Sequence, residues 1–323
     1  WYVHTAAMPA DHPEILTAKQ LGIKTSKRDE FLANLINDKG LKLIAVAGTH
    51  GKTSTSGMLV WALSQLSIPV SYSIGTTLSW GPSGAFDPNS KYFVYECDEF
   101  DRNFLHFNPY LSLITSIEYD HPDTYPTEAD YMQAFSEFVD QSKQVIMWAS
   151  DSRKLNTQSV DSWCLGDGEV AGVHLPGLHN RQNATLALKA LERLGVRDYS
   201  ARLQAVESFA GTNRRFQQLA DNLYSDYGHT PTEIAATLQM ASEISDKIML
   251  VYQPHQNTRQ HEIRDQYSAV VFNQAEKVYW LPTYLSREKP DLPVLSPEQL
   301  SKNLANVTIA ELNDELWQAI ESA

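Results

Sequence analysis

Residues 48–54, with the sequence GTHGKTS, carry the residue types of a phosphate-binding loop. The apolar run 41–47 before them is typical of a buried parallel strand, and apolar residues from 58 to 66 follow at helical spacing. Glycines let backbone N–H groups approach phosphate oxygens, and the start of a helix adds partial positive charge. The pattern predicts that Lys52 contacts the β- and γ-phosphates of a nucleotide and that Thr53 holds Mg²⁺. The candidate nucleotide-binding residues of this loop are Gly48, Thr49, His50, Gly51, Lys52, Thr53 and Ser54.

The spacing of this loop differs from the common G-x-x-x-x-G-K-[ST] pattern. Val46 stands at the first glycine position, and the glycine comes at Gly48 instead. The alternative interpretation is a tight strand-to-helix turn with a solvated lysine. That alternative accounts for Gly48 and Gly51, but it gives no reason for Lys-Thr at the start of the helix. Nucleotide binding is therefore the favoured interpretation.

An acidic cluster follows the predicted strand 92–95. Four carboxylates fall within the six residues 96–101, and their mutual repulsion beside a phosphate site is costly unless a cation offsets it. Mg²⁺ prefers oxygen ligands and is the natural cation here. A solvated acidic turn is the alternative, and taken alone it would be the better interpretation. With the phosphate loop present, we predict that Glu96, nearest to the end of the strand, is a catalytic metal ligand.

His121 follows another predicted strand, 111–115. Isolated histidines are usually surface groups. In a doubly wound parallel sheet, however, His121 lies at the same edge as Lys52 and Glu96, because functional loops gather at the carboxyl ends of the strands. The sequence predicts that His121 ligates a metal or positions a carboxylate there.

Asn180 and Asn183 begin a predicted helix and are three residues apart, so they could face the same side. An amide offers a donor and an acceptor, which suits the edge of adenine. The alternative is helix capping by Asn180, which spacing alone favours.

Polar groups also flank the start of the last domain. Arg214 and Arg215 could bind phosphates or carboxylates, and the alternative is a salt-bridged linker. Asp226 could accept from ribose hydroxyls or lie near the metal. The loop 253–259 follows an apolar strand, and its Arg259 could bind a substrate carboxylate.

Alternating apolar runs and helical patterns predict an α/β protein with a doubly wound central parallel sheet that carries the phosphate loop. A smaller α/β pattern follows a polar linker near residue 211. In that second pattern we predict strands at 223–225, 247–252 and 277–281, and helices at 232–242 and 260–271. The first 40 residues supply about one β-α unit, which is too small to stand alone.

Composition narrows the class of protein. The 323 residues carry a net charge of −13, which argues against a nucleic-acid partner. The sequence contains no run of about 18 apolar residues, so it gives no indication of a membrane span. Two cysteines give no disulfide framework. We therefore expect a cytoplasmic protein that is a monomer or a weak homodimer and binds neither nucleic acid nor membrane.

Taken together, the motifs resemble those of the Mur ligase family of peptidoglycan synthesis. The resemblance is carried by residues 47–53 (AGTHGKT), 96–101 (ECDEFD), 117–125 (IEYDHPDTY), 177–184 (GLHNRQNA), 214–216 (RRF), 226–233 (DYGHTPTE) and 253–255 (QPH). It implies a remnant of an N-terminal Rossmann-like UDP-sugar-binding domain at 1–40, a central ATPase domain at 41–211 and a Rossmann-like ligase domain at 212–323.

The resemblance also implies an activity and roles for residues. ATP and Mg²⁺ would serve an amide ligase that joins L-alanine to the carboxylate of UDP-N-acetylmuramate through an acyl phosphate. Lys52 and Thr53 would bind the phosphates and Mg²⁺, and Glu96 and His121 would bind metal. The remaining assignments are Asn180 and Asn183 to adenine, Arg215 and Asp226 to ATP, and His229, His255 and Arg259 to the amino acid. A peptide-recycling ligase acting on the same sugar and a nucleotide-binding protein without ligase activity remain alternatives.

The loop after Gln-Pro-His departs from the family pattern. Gln256 and Asn257 stand where the family has an Arg-Tyr pair, and Thr230 replaces the second histidine of a His-His-Pro sequence. These differences lie on the amino-acid side of the predicted site and leave the nucleotide side unchanged.

Overall fold

The computed structural model describes residues 1–5, 8–157, 160–286 and 288–322. The described residues divide into two compact units. Unit 1 comprises Trp1–His174 and Asn180–Asn213, and unit 2 comprises Leu175–His179 and Arg214–Ala323. The predicted remnant 1–40 belongs to unit 1, and the predicted boundary at 211 lies close to the change of unit after Asn213. The assignment of three domains stays a prediction.

Unit 1 begins with a pair of short parallel strands and two helices. They are β1 (Tyr2–His4), α1 (Pro13–Gln20), β2 (Thr25–Lys27) and α2 (Arg28–Asp38). Asp29 in α2 is buried and accepts a hydrogen bond from the hydroxyl of Tyr95. A buried carboxylate needs such a partner, so this contact fixes α2 against the sheet that contains Tyr95.

The main sheet of unit 1 positions the predicted nucleotide site. Its strands are β3 (Lys42–Ala47), β4 (Val70–Ser73), β5 (Gly84–Ala85), β6 (Tyr92–Glu96), β7 (Leu111–Ile114), β8 (Gln144–Trp148) and β9 (Asp161–Leu165). They lie in the order β5-β4-β6-β3-β7-β8-β9, parallel throughout except for the antiparallel edge strand β5. The buried residues of β3 and β7 face both sides of the sheet, as expected for parallel strands covered on both faces. Because β3, β6 and β7 run parallel, the loops that follow them lie at the same edge of the sheet.

Helices cover this sheet. They are α3 (Lys52–Gln65), α4 (Glu128–Asp140), α5 (Ala149–Ser152), α6 (Leu178–Arg193) and α7 (Tyr199–Glu207), with 3₁₀ helices at Phe100–His106 and Asp167–Glu169. In α4, Tyr131, Phe135 and Phe138 are fully buried and pack in one aromatic cluster with Phe104. That cluster lies beneath the loop that carries the acidic residues 96–101.

Unit 2 contains a hairpin and a small parallel sheet. Its strands are β10 (Gln217–Ala220), β11 (Leu223–Ser225), β12 (Met249–Tyr252), β13 (Lys277–Trp280) and β14 (Val307–Ile309). Its helices are α8 (Pro231–Ser242), α9 (Asn257–Ile263), α10 (Ala269–Phe272), α11 (Pro297–Ser301) and α12 (Asp314–Glu321), with a 3₁₀ helix at Arg264–Gln266. β10 and β11 pair antiparallel, whereas β12, β13 and β14 are parallel in that order.

The core of unit 2 is aromatic. Tyr252, Tyr267, Phe272 and Trp280 are all buried and pack together. The single helix predicted over 260–271 is wrong, because α9 ends at Ile263 and α10 starts only at Ala269. Among the described residues of both units, every helix is too short or too polar to span a lipid bilayer.

Candidate active site

Glycine is required at two positions of the loop between β3 and α3. Gly48 has φ +134°, and a Cβ added there would lie 2.7 Å from the carbonyl oxygen of Ser116. Gly51 has φ +82°, and a Cβ there would lie 2.5 Å from Oδ1 of Asn183. Both backbone conformations are disfavoured for other residues, and neither site has room for a side chain. The loop thus packs closely against the residues that follow β7 and against α6.

Lys52, the first residue of α3, is held by an ion pair and by the loop itself. Its Nζ lies 2.6 Å from the carbonyl oxygen of Gly48 and 2.8 and 3.1 Å from the two carboxylate oxygens of Glu99. The Lys52 side chain is 14% exposed and that of Glu99 only 1%. Burial acts to lower the pKa of Lys52, but the carboxylates of Glu99, Asp98 and Glu96 outweigh it, so this pKa is raised. Lys52 is therefore a fixed cation at neutral pH.

Glu96 takes a different partner. It is the last residue of β6 and lies beside Val46 of β3. Its Oε1 accepts a hydrogen bond from the hydroxyl of Thr53 at 2.8 Å, and its Oε2 accepts one from the N–H of Gly75 at 2.8 Å. The two residues predicted to hold Mg²⁺, Thr53 and Glu96, are thus in direct contact.

His121 belongs to a second cluster beside Lys52. The possible ligand atoms of Asp98, Glu99 and His121 all lie within 4.8 Å of one another, an arrangement that could hold a metal ion. His121 Nε2 lies 3.9 Å from Glu99 Oε1 and 3.8 Å from Asp120 Oδ2. Burial raises the pKa of Glu99, and the charges of Lys52 and His121 offset part of that effect.

The sequence placed Glu99 in the acidic cluster but favoured Glu96 instead. The chain turns after β6 because Asp98 accepts a hydrogen bond from the N–H of Phe100 at 3.2 Å, where a 3₁₀ helix begins. The hydroxyl of Tyr125 donates to the carbonyl oxygen of Glu99 at 2.6 Å and fixes this turn. The spacing of the acidic residues does not indicate that Glu99, and not Glu96, pairs with Lys52. The buried Tyr125, which fixes the position of Glu99, lies in the motif 117–125.

Thr49 and His50 face the loop after β7. The Thr49 hydroxyl donates to the carbonyl oxygen of Glu118 at 2.8 Å and lies 2.9 Å from the Tyr131 hydroxyl. His50 Nε2 lies 3.2 Å from Oε2 of Glu118, and its backbone N–H donates to the Ser116 hydroxyl at 3.0 Å. These side chains brace the phosphate loop, and their predicted contact with a nucleotide stays a prediction.

The two asparagines of α6 have different environments. Asn183 is 6% exposed, and its side chain lies against the backbone of Gly51. Asn180 and Ser54 are half-buried. Asn183 is thus placed beside the phosphate loop, and the predicted contacts of Asn180 and Asn183 with adenine stay predictions.

In unit 2, Arg215 and Asp226 lie in or beside the β10–β11 hairpin. Arg215 Nη1 lies 3.9 Å from Glu233 Oε1. Asp226 accepts hydrogen bonds from the N–H groups of Phe216 at 2.8 Å and Gly228 at 2.6 Å. These bonds order the loop after the hairpin, and the proposed contacts of Arg215 and Asp226 with ATP stay predictions.

His229, His255 and Arg259 are brought together in unit 2. The two imidazole rings are 6.2 Å apart between centroids. Burial, followed by the nearby positive charge of Arg259, lowers the pKa of His229, although Glu233 acts in the opposite direction. The pKa of His255 is lowered by burial, by His229 and by Arg259. Both rings are therefore neutral at pH 7, and Arg259 is a cation that acts on both of them.

Glu288 organises the loop that carries the altered residues 256–257. Gln256 precedes α9 with φ +63°, an unusual conformation for a residue other than glycine. The carboxylate of Glu288 accepts from the N–H groups of Asn257 at 2.9 Å, Thr258 at 3.1 Å and Ser286 at 2.9 Å. Burial acts to raise the pKa of Glu288, but these hydrogen bonds outweigh it and lower this pKa. The sequence assigned no role to Glu288.

The geometry of unit 1 defines a class. A glycine turn leads from a central parallel strand into a helix that begins with Lys52 and Thr53, and the carboxylates of Glu96 and Glu99, at and just after the end of β6, contact them. This arrangement is a P-loop α/β fold.

Comparison with known proteins narrows that class. Residues 46–167 match the Mur ligase middle domain. UDP-N-acetylmuramate–L-alanine ligase of Carboxydothermus hydrogenoformans is 32% identical over an alignment of 363 positions, gaps included, which spans 99% of this chain and 77% of that protein. The protein of the same name from Levilactobacillus brevis is 35% identical over an alignment of 329 positions, gaps included, which spans 90% of this chain and 72% of that protein. The chain therefore belongs to the Mur ligase family.

A solved structure supports the same fold. The crystal structure of UDP-N-acetylmuramate-alanine ligase from Thermotoga maritima matches with a TM-score of 0.75 at 24% identity, covering 98% of this chain and 79% of that one. The predicted family and the predicted α/β fold with a parallel central sheet are confirmed. The roles of individual residues stay predictions.

Proposed function

We propose that this chain catalyses the ATP-dependent joining of L-alanine to the carboxylate of UDP-N-acetylmuramate, a step of peptidoglycan synthesis. The products are the amide, ADP and phosphate. The observation that carries the proposal is the position of Lys52 at the start of α3, paired with Glu99 and beside Thr53 and Glu96. Relatives of the same family that bear this name extend over nearly the whole chain.

A carboxylate is a poor acyl donor, so it must first be activated by transfer of a phosphoryl group from ATP. That transfer needs an in-line geometry and neutralisation of negative charge more than it needs covalent help from the protein. Lys52 supplies a permanent positive charge, because its pKa is raised. Gly48 and Gly51 have positive φ, and glycines of this kind would let the backbone N–H groups of the loop approach the phosphates closely.

The donor set around Lys52 fits Mg²⁺. Thr53 and Glu96 offer a hydroxyl and a carboxylate in direct contact, and Asp98, Glu99 and His121 form a second group of possible ligands. Oxygen ligands of this kind suit a hard divalent cation. When bound, Mg²⁺ would neutralise charge on the phosphates, and Thr53, Glu96 and His121 are the residues we assign to hold it.

The amino acid would bind in unit 2. Arg259 supplies a cation for the carboxylate of the amino acid, and the neutral imidazoles of His229 and His255 lie near Arg259. A histidine that stays neutral at pH 7 can accept a hydrogen bond from an ammonium group. The groups for phosphoryl transfer lie in unit 1 and those for the amino acid lie in unit 2.

The test measures phosphate release with UDP-N-acetylmuramate, ATP and Mg²⁺ in the presence of single amino acids and, separately, of a preformed tripeptide. Release that depends on L-alanine supports the proposal. Release that depends instead on a preformed tripeptide would favour the peptide-recycling ligase. ATP binding without turnover under any of these conditions would contradict a ligase.

A further inference from the structure

A buried chain of hydrogen bonds runs beneath the two histidines of unit 2. Tyr252, Tyr267 and Gln260 are only 4%, 2% and 0% exposed. The Tyr252 and Tyr267 hydroxyls are 2.8 Å apart, the Tyr267 hydroxyl donates to Gln260 Oε1 at 2.7 Å, and Gln260 Nε2 donates to the carbonyl oxygen of His255 at 3.1 Å. Three buried polar side chains thus end on the backbone of a predicted amino-acid-binding residue.

The number of hydrogen atoms that each group can donate fixes the direction of these hydrogen bonds. The amide nitrogen of Gln260 faces His255, so its oxygen faces Tyr267, whose hydroxyl must donate to it. A hydroxyl has one hydrogen, so Tyr267 can only accept from Tyr252. Tyr252 therefore donates to Tyr267 and is left with a long contact of 3.4 Å to the carbonyl oxygen of His229. The hydrogen-bond series therefore holds mainly the backbone of His255.

The backbone that carries His255 needs such an anchor. His255 lies between the end of β12 and Gln256, whose φ of +63° is costly without support from its surroundings. The His255 ring stacks on Tyr284 with centroids 5.5 Å apart. Buried polar networks whose members are all paired hold one geometry, whereas networks with a missing member become mobile or costly.

We propose that Tyr267, acting through Gln260, is a positioning residue that holds His255 in the geometry that binds the incoming amino acid. This inference rests on the proposed function for the identity of the ligand. Tyr267 does not touch the amino acid, so its loss acts on amino-acid affinity and leaves the nucleotide site intact.

Tyr267→Phe keeps the buried ring and removes the hydroxyl. Gln260 Oε1 loses its donor, and Tyr252 loses its acceptor. We expect the KM for L-alanine to rise about five- to tenfold, from the loss of one buried hydrogen bond. The KM for ATP and the kcat at saturating L-alanine are expected to change less than about twofold, because neither the phosphate loop nor its partners are affected.

Tyr279→Phe is the matched control. Tyr279 is also buried in this sheet at 3% exposed, but its hydroxyl has no hydrogen-bond partner among the described residues. Removing that hydroxyl should leave the KM for L-alanine unchanged. Tyr252→Phe, at the far end of the hydrogen-bond series, keeps the bond from Tyr267 to Gln260 and the bond from Gln260 to His255, so its effect should be intermediate. An equal KM for all three variants would overturn the proposal.

A measurement without turnover separates this inference from the proposed function. Amide hydrogen exchange of residues 253–258 is compared in wild type, Tyr267→Phe and Tyr279→Phe. Faster exchange in Tyr267→Phe alone supports positioning of His255, and equal exchange overturns it, whatever the enzyme turns over. Wild type without L-alanine-dependent phosphate release would overturn only the proposed function. If Tyr267→Phe fails to fold, the same comparisons with Tyr252→Phe decide.

Discussion

Replacing Glu99 by glutamine should expose the strength of the ion pair that holds Lys52. The substitution keeps the size of the side chain and removes one charge from a pair whose members are 14% and 1% exposed. Loss of one partner from a fully buried pair costs about 3–5 kcal/mol of the free energy of unfolding. Asp98 and Glu96 also act on Lys52, and its Nζ keeps the carbonyl oxygen of Gly48. We therefore expect a smaller loss, about 1–3 kcal/mol.

A double-mutant cycle isolates the pair itself. Glu99→Gln, Lys52→Met and the double variant are unfolded in urea without nucleotide. Because the two side chains are in direct contact, their effects should not add, and the coupling energy should be about 1–2 kcal/mol.

An exposed ion pair of the same unit provides the control. Arg193 Nη1 lies 3.2 Å from Asp161 Oδ2, with side chains 29% and 56% exposed. Asp161→Asn should cost less than about 1 kcal/mol, because solvent screens this pair. A strong buried pair is refuted if Glu99→Gln costs no more free energy of unfolding than Asp161→Asn, or if the cycle gives no coupling energy.

Three further predictions concern the loop and unit 2. Gly48→Ala places a Cβ 2.7 Å from the carbonyl oxygen of Ser116, so ATP turnover should fall at least ~10-fold, and turnover equal to wild type in a phosphate-release assay would contradict the predicted role of the phosphate loop. Arg259→Ala should raise the KM for L-alanine more than the KM for ATP, and steady-state kinetics with the opposite pattern would reassign this residue. Because hydrogen bonds lower the pKa of Glu288, its stabilising effect is complete above its unfolded pKa of about 4.3 and is lost as the pH falls through the folded value. Urea midpoints measured from pH 6 to pH 3 should therefore fall less in Glu288→Gln than in wild type, and parallel curves would refute this cause.

Unit 1 could be predicted well because its strands are apolar runs set apart by helical patterns. Predicted strands 41–47 and 111–115 correspond to β3 and β7 within one residue at each end. Parallel strands buried on both faces leave this signal because nearly every residue must be apolar. The phosphate loop could be located for a related reason, since a glycine turn followed by Lys-Thr between a strand and a helix is typical of phosphate binding.

Unit 2 was harder to predict because the ends of its helices and strands depend on hydrogen bonds between residues that are distant in sequence. The hairpin β10–β11 was missed as a pair, since its strands are short and partly exposed and show no alternation. Its turn contains Asn222 at φ +61°, and asparagine in such a turn was the available signal. The predicted helix 260–271 fails where Tyr267 turns inward to meet Gln260, a tertiary contact that periodicity does not reveal.

Within the site, types of residue were predicted better than their partners. Lys52, Thr53, Glu96 and His121 lie together at one sheet edge, as their positions after the strands predicted. Glu99 was not selected, because its position depends on a turn after β6 that is fixed by Tyr125 from another loop. Contacts between residues distant in sequence are the part that spacing alone does not determine.

The contact of Lys52 with the terminal phosphates of ATP can be tested by removing its side chain. ATP hydrolysis and ligation are assayed in Lys52→Ala with UDP-N-acetylmuramate, Mg²⁺ and L-alanine, with urea unfolding to show that the variant is folded. We expect turnover to fall at least ~10²-fold, because a preorganised charge at the reacting phosphate is removed. A folded Lys52→Ala protein that turns over ATP at nearly the wild-type rate would contradict it.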